Sequence, residues 1–157
     1  AKTVYENVAL PLIVANYPKQ DIEQRVNEVL QLVGLSDKVQ HYPSQLSGGQ
    51  KQRLSIAAAL VHKPKVFFMD EPTTGLHFAD IEKLLGVLHQ LVAQGNTVAV
   101  IEHNLEVIKT ADYIIDMGPE GGAEGGTVIA TGTPEEVGRR TDSHTAHYLK
   151  PLLKHKK

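Results

Sequence analysis

The sequence predicts an α/β protein with a mostly parallel sheet, and three patterns support that class. Short apolar runs recur at 66–69, 97–101 and 113–117, as in strands that are buried on both faces of a sheet. Segments with helical spacing of apolar residues lie before and between these runs. Strands that alternate with helices are typical of a parallel sheet whose two faces are covered.

The first third of the chain contains one ambiguous segment and one clear helical pattern. Residues 3–14 fit either a strand or a helix, and Pro11 weakens both interpretations. Apolar residues from Ile22 to Val33 have helical spacing, and Gly34 is a natural end for that helix.

A further helix is expected after the sequence Ser-Gly-Gly. Ser47 stands three residues before Gln50, which is the spacing of a capping box, so a helix should run from about Gly48 to His62. Glycines let backbone N–H groups approach an anion, and the N-terminus of a helix favours negative charge. This helix start is therefore a candidate anion site as well as a capped helix.

Strands and helices alternate through the rest of the chain. The expected elements are a strand at 66–69, a helix from Ile81 to Val92, strands at 97–101 and 113–117, a glycine-rich loop at 118–126, a strand at 127–132 and a short helix after Thr133. Asn104 has the position of a helix cap. Asp80, Glu82 and Lys83 are expected on a solvated helix face.

Composition limits the class of protein. The 157 residues fit one domain, with 41% apolar and 22% charged residues. The formal net charge of −2 leaves no overall electrostatic footprint for nucleic acid, so nucleic acid is not an expected partner. The sequence has no cysteine, which excludes disulfides and cysteine-ligated zinc and suits the cytoplasm. No apolar run approaches the roughly 18 residues of a membrane span.

Polar side chains follow two successive strands. Asp70 and Glu71 come at the carboxyl end of the 66–69 strand, where ligands of open α/β sheets bind. In a phosphate-handling site, Asp70 would hold Mg²⁺ through water and Glu71 would polarise an attacking water. His103 follows the next strand. The alternative interpretation is two charges on a strand end that emerges into solvent, with a structural histidine nearby.

Three motifs together resemble those of ATP-binding cassette (ABC) ATPases. Leu46–Gln50 (LSGGQ) resembles the signature, Phe67–Thr73 (FFMDEPT) resembles the Walker B motif, and His103 resembles the switch histidine. Their order and approximate spacing also match the family. The resemblance implies a P-loop NTPase core with a helical signature subdomain, and ATP and Mg²⁺ as cofactors.

The resemblance also implies roles for individual residues. The implied cofactor-binding residues lie in the signature: Ser47, Gly48, Gly49 and Gln50. The first three would contact the γ-phosphate of ATP held by an opposing subunit. Asp70 would serve Mg²⁺, Glu71 would be the general base, and His103 would sense the γ-phosphate.

No phosphate loop of the form G-x-x-x-x-G-K-[ST] occurs in these residues. The nearest match, Gly121 to Thr127, lacks the lysine and comes late in the chain, so we interpret it as a turn. In the family the phosphate loop and its strand precede the signature. We therefore expect a partial core without the phosphate-loop strand, which alone binds and hydrolyses little ATP.

The resemblance predicts three regions and a gap in the sheet. The regions are a helical and signature subdomain at 1–63, an α/β core at 64–152 and a flexible basic tail at 153–157. In the family the phosphate-loop strand lies between the strand that leads to His103 and the strand at 113–117. Its absence leaves two unpaired edges, which recruit other strands, so we expect self-association or strand exchange.

The two ends of the chain resemble different branches of the family. Residues 1–66 resemble transporter-type ATPases, whereas residues from about 70 to 152 resemble the carboxyl end of the UvrA component of the bacterial excinuclease, a DNA-damage recogniser. In the excinuclease family we expect Glu where Gln50 stands. The chain thus resembles a mosaic joined near the Walker B strand, by engineered recombination or by natural gene fusion.

Four functions follow from these patterns. The chain is an ATPase fragment that is inactive alone, a half-site partner that completes an ATP site on another chain, a structural chimera without activity, or a segment of a DNA-repair ATPase. The last is weakest, because the cysteine-ligated zinc modules of that family cannot form in a chain without cysteine.

Overall fold

The chain folds as two compact units, Ala1–Ile101 and Glu102–Lys157. The computed structural model describes residues 1–118 and 126–153. The sequence placed a boundary at residue 63 instead, but helices before and strands after that residue share one hydrophobic core. The expected loop at 118–126 and the basic tail fall mostly outside the described residues, and Leu153 is the last residue of a helix.

Helices form most of the first unit. Its α-helices and strands are, in chain order, α1 (Val4–Val14), α2 (Lys19–Leu32), α3 (Gly48–Leu60), β1 (Val66–Asp70), α4 (Phe78–Ala93) and β2 (Thr97–Ile101). Leu12, Leu30, Leu84 and Leu91 are among the fully buried side chains of its core. The four helices therefore stabilise the unit by burying their apolar faces together.

The ambiguous segment at 3–14 is a helix, because a capping box starts it. The Glu6 backbone N–H donates to Thr3 Oγ1 (3.2 Å), and the Thr3 backbone N–H donates to Glu6 Oε2 (2.7 Å). Pro11 lies inside this helix, where the lack of an N–H removes one donor. Thr3 and Glu6 have the same spacing as Ser47 and Gln50, so the start signal was present in the sequence.

Strands β1 and β2 form a parallel pair in which Val66 lies opposite Thr97 and Asp70 lies opposite Ile101. Phe67 is buried in the core of the first unit. The expectation that both faces of the sheet are covered is wrong, since Phe68 is 83% exposed. Successive side chains of a strand point to opposite faces, and the helices of this unit cover one face only.

The second unit is built on an antiparallel pair. Its elements are α5 (Leu105–Ile108), β3 (Ile114–Gly118), β4 (Thr127–Gly132), α6 (Pro134–Val137) and α7 (His144–Leu153). Strands β3 and β4 pair antiparallel, with a bulge at Asp116 and Met117. Among the described residues, the four strands are thus divided between one parallel and one antiparallel pair, and β2 and β3 belong to different sheets.

Local signals in the second unit agree with the sequence. Thr133 forms a capping box with Glu136, and Pro134 begins α6. The buried Asp116 carboxylate accepts hydrogen bonds from Ser143 Oγ (2.6 Å) and Thr145 Oγ1 (2.7 Å). These bonds join β3 to the start of α7.

No helix within 1–118 or 126–153 combines the length and apolar character that crossing a membrane requires.

Candidate functional site

Helix α3 starts as the sequence predicts, with a complete capping box. The Gln50 backbone N–H donates to Ser47 Oγ (3.2 Å), and the Ser47 backbone N–H donates to Gln50 Oε1 (2.9 Å). The predicted capped helix start is therefore confirmed. The side chains of Ser47 and Gln50 serve this cap, and their contact with a phosphate stays a prediction.

The two signature glycines have different surroundings. A Cβ added at Gly48 would approach nothing closer than Leu76 Cδ2, at 3.9 Å. A Cβ added at Gly49 would lie 2.3 Å from Asp80 Cγ and 2.5 Å from Asp80 Cβ. Gly48 thus leaves room beside the start of α3, whereas Gly49 lets the side chain of Asp80 pack directly on the helix backbone.

Asp80 does not belong to a solvated helix face, and that expectation is corrected here. Its Oδ1 lies 3.5 Å from Arg53 Nη1, and Arg53 is only 5% exposed. Arg53 Nε also donates to the carbonyl of Val33 (3.0 Å). Asp80 lies in the first turn of α4. It therefore links α4 to two successive turns of α3, the first at Gly49 and the second at Arg53.

The predicted Walker B carboxylates lie at the end of β1, where the sequence placed them. Asp70 is the last residue of the strand and is exposed. The Glu71 backbone N–H donates to the carbonyl of Ile101 (2.9 Å), which extends the ladder by one bond. Thr74 Oγ1 donates to Glu71 Oε2 (3.1 Å). This bond orients the Glu71 carboxylate toward the turn that follows the strand.

Glu71 has a left-handed backbone, with φ of +43°. Few residues other than glycine and asparagine adopt this conformation without strain, and such strain is often found at functional sites. No sign of it is visible in the sequence, because Glu71 is simply the second of two carboxylates after an apolar run.

Replacing Glu71 with asparagine is expected to raise the free energy of unfolding by about 1 kcal/mol, because asparagine tolerates a positive φ. Urea denaturation of Glu71→Asn against the parent chain measures the change. Glu71→Gln keeps the shape of the side chain and its backbone strain, so it should leave stability unchanged. Equal stability of all three chains would show that the backbone at Glu71 stores no strain.

His103 lies in the second unit, between β2 and α5. The backbone N–H groups of His103 and Asn104 both donate to Glu102 Oε2 at 3.2 Å. Asn104 Oδ1 accepts from the Glu106 backbone N–H (3.0 Å), which confirms Asn104 as the cap of α5. The role of His103 as a γ-phosphate sensor stays a prediction.

Residues 1–74 match the family model described as ABC transporter. Among solved structures, the chain is similar to cbiO1 from Clostridium perfringens, described as part of the ABC transporter complex cbiONQ, with a TM-score of 0.79 and 26% identity over 98% of this chain and 58% of that one. In its fold and in residues 1–74, the chain is thus similar to part of an ABC-type ATPase domain.

Within that class the chain resembles UvrA. It is 61% identical over 111 residues to UvrABC system protein A of Haemophilus influenzae, which covers 69% of this chain and 12% of that protein. Identity to the Pseudomonas aeruginosa protein is 55% over 130 residues, or 80% of this chain and 14% of that protein. The crystal structure of UvrA2 from Deinococcus radiodurans has a TM-score of 0.69 and 39% identity over 98% of this chain and 19% of that one.

The chain thus spans 12% to 14% of the length of these two curated relatives. A match over 80% of the chain is longer than residues 70–152, so the likeness to UvrA extends further toward the amino terminus than the sequence motifs suggested. Transporter and UvrA likenesses therefore overlap in this chain rather than meeting at the Walker B strand.

Proposed function

We propose that this chain supplies the signature, Walker B and switch-histidine elements of an ABC-type ATP site, and that a phosphate loop on another polypeptide completes the site. The observation that carries the proposal is the contact between the start of the signature helix and the segment that follows the Walker B motif. Asp80, in that segment, lies against Gly49, and Leu76 is the nearest neighbour of a Cβ placed at Gly48. A phosphate bound at this helix start would be held next to the segment that follows the catalytic carboxylates.

The signature would bind phosphate through the backbone. The first N–H groups of an α-helix have no acceptor within the helix, and the helix dipole favours an anion there. The space beside Gly48 supports close approach of a phosphate oxygen. Asp80 packs against Gly49. In this proposal Gly49 therefore allows α4 to approach α3 closely, and it does not face the phosphate.

The carboxylates at the end of β1 would serve the metal and the water. Mg²⁺ is commonly held by one or two carboxylates together with water and substrate phosphates, and the exposed Asp70 fits that mode. When bound, Mg²⁺ would neutralise developing charge on the phosphate oxygens. Glu71, oriented by Thr74, would accept the proton of the attacking water, and His103 would sense the γ-phosphate.

The test is a calorimetric titration with ATP and Mg²⁺. The chain alone is expected to show no saturable binding at micromolar ATP, because it lacks the backbone amides and the lysine of a phosphate loop. Adding a polypeptide that carries such a loop should produce binding. Micromolar affinity of the chain alone would contradict the proposal, since it would require another phosphate cradle within these residues.

A second candidate is an ATPase segment of a DNA-repair protein, which the identity of 55% to 61% to UvrABC system protein A favours. Binding to DNA that weakens steeply as salt is added would support it. The net charge of −2 favours the opposite result, namely no binding at low salt.

A further inference from the structure

A carboxylate from α4 lies beside the start of α3, where the proposed site would bind phosphate. A Cβ placed at Gly49 would lie 2.5 Å from Asp80 Oδ1, so this oxygen is directly against the first turn of α3. That turn carries no acidic residue of its own. Because the N-terminus of a helix favours negative charge, the Asp80 carboxylate lies where a bound anion would also be favoured.

Arg53 compensates this carboxylate from within the core. Its Nε donates to the carbonyl of Val33 (3.0 Å). Its Nη1 is buried, lies 3.5 Å from Asp80 Oδ1 and donates no hydrogen bond to any residue in the described part of the chain. A buried cation is costly unless a negative charge lies close to it. The interaction of Nη1 with Asp80 is therefore one of charge.

This pair sets how strongly a phosphate would be repelled at the start of α3. The space beside Gly48 is open, and Gly48 directly precedes the residue that Asp80 covers, so a phosphate there would be a close neighbour of the carboxylate. The Asp80 side chain is only 24% exposed, so water screens its charge incompletely. Like charges at short range then repel strongly, and a positive charge at Arg53 offsets that repulsion.

We propose that Arg53 is a positioning residue of the ATP site: it neutralises Asp80 and thereby allows the start of α3 to bind a phosphate. This inference rests on the proposed function for the location of the phosphate. It adds that the affinity of the signature for an anion depends on a buried charge one turn further along the helix. A purely structural link between α3 and α4 would stabilise the fold without setting that affinity.

The test measures binding of inorganic pyrophosphate, at millimolar concentrations and constant ionic strength, to the full chain alone. The amide NMR signal of Gly48 reports binding at the helix start. Arg53→Met keeps much of the side-chain volume but removes the charge, so it should weaken binding at least roughly tenfold. Lys65→Met is the matched control, because it removes one positive charge from an exposed residue before β1. It should change the affinity less than about threefold.

A second substitution separates charge from structure. Asp80→Asn keeps the shape of the side chain and removes the repulsion, so it should bind pyrophosphate at least as tightly as the parent chain. Arg53→Met combined with Asp80→Asn should return to within about threefold of the parent affinity. The NMR spectra show whether each variant is folded, so lost binding is not confused with unfolding.

Four results would overturn the proposal. They are a Gly48 signal that does not respond to pyrophosphate in the parent chain, an Arg53→Met variant that binds as the parent does, a double variant that binds as weakly as Arg53→Met, and an Asp80→Asn variant that binds more weakly than the parent. The last comparison keeps the proposal testable if Arg53→Met does not fold.

The test needs no phosphate-loop polypeptide, so its outcome is distinguishable from that of the proposed function. Turnover by a mixture with such a polypeptide, together with pyrophosphate binding that Arg53→Met leaves unchanged, would overturn this inference alone. Weakening by Arg53→Met and recovery in the double variant, without turnover by the mixture, would contradict the proposed function and leave the anion site in place.

Discussion

Replacing Gly49 with alanine is expected to lower the free energy of unfolding by about 2 kcal/mol. The new methyl group would lie 2.3 Å from Asp80 Cγ and 2.5 Å from Asp80 Cβ. An aspartate Cβ cannot move without the backbone, so α3 and α4 must separate to relieve the clash. Urea denaturation monitored by circular dichroism measures the loss.

Gly48→Ala is the matched control, because it places a methyl group one residue earlier in the same helix turn. Its nearest neighbour would be Leu76 Cδ2 at 3.9 Å, which is ordinary van der Waals contact. The free energy of unfolding of Gly48→Ala should stay within about 0.5 kcal/mol of that of the parent chain. In the background of Asp80→Gly, which removes the Cβ of residue 80 as well, Gly49→Ala should lose most of its effect. If Gly49→Ala still lowers the free energy of unfolding strongly in that background, the requirement for glycine at position 49 does not come from Asp80.

Replacing Arg53 with alanine is expected to destabilise the chain by about 3 kcal/mol. The change removes the hydrogen bond from Arg53 Nε to the carbonyl of Val33 and the ion pair with Asp80. It also leaves a cavity, because Arg53 is only 5% exposed. The midpoint and slope of urea denaturation give the size of the loss.

Arg53→Met separates packing from polarity, since it fills much of the same volume without the guanidinium. It should recover part of the stability that Arg53→Ala loses. A double-mutant cycle with Asp80→Asn then measures the coupling between Arg53 and Asp80, which should exceed about 0.5 kcal/mol. A coupling energy near zero would mean that the interaction between these two side chains does not contribute to the free energy of unfolding.

Local signals in the sequence predicted much of the fold. The capping box at Ser47 predicted the start of α3, a short helix was predicted after Thr133, and both helices begin where they were expected. The same pattern at Thr3 and Glu6 starts α1, but Pro11 and the continuous apolar run obscured it. A capping box involves two residues that are three positions apart in the chain. The starts of these helices could therefore be predicted from short stretches of sequence.

Burial of the strands was harder to predict. A run of four apolar residues, such as Val66 to Met69, has no alternation, so it reads as buried on both faces even though Phe68 is exposed. Whether a second layer covers a strand depends on elements distant in the chain. The sequence of the strand alone does not contain that information.

The predicted site shows the same limit. The motifs predicted Ser47, Asp70 and Glu71 as site residues, each from its immediate neighbours. The contact between Asp80 and Gly49 joins two helices, and helical periodicity assigned Asp80 to the solvated face. The positive φ of Glu71 depends on the turn that follows β1. No residue type in that turn indicated that Glu71 would have a left-handed backbone.

The most direct measurement of the central claim is ATP hydrolysis by a mixture of this chain and a polypeptide that carries a phosphate loop. The mixture is first shown to form a complex by light scattering. We predict turnover that neither component shows alone, and loss of that turnover with Glu71→Gln, which keeps the shape of the side chain but removes the base. A complex that forms without turnover, or turnover that Glu71→Gln leaves unchanged, would contradict the claim that this chain supplies the catalytic half of an ABC-type ATP site.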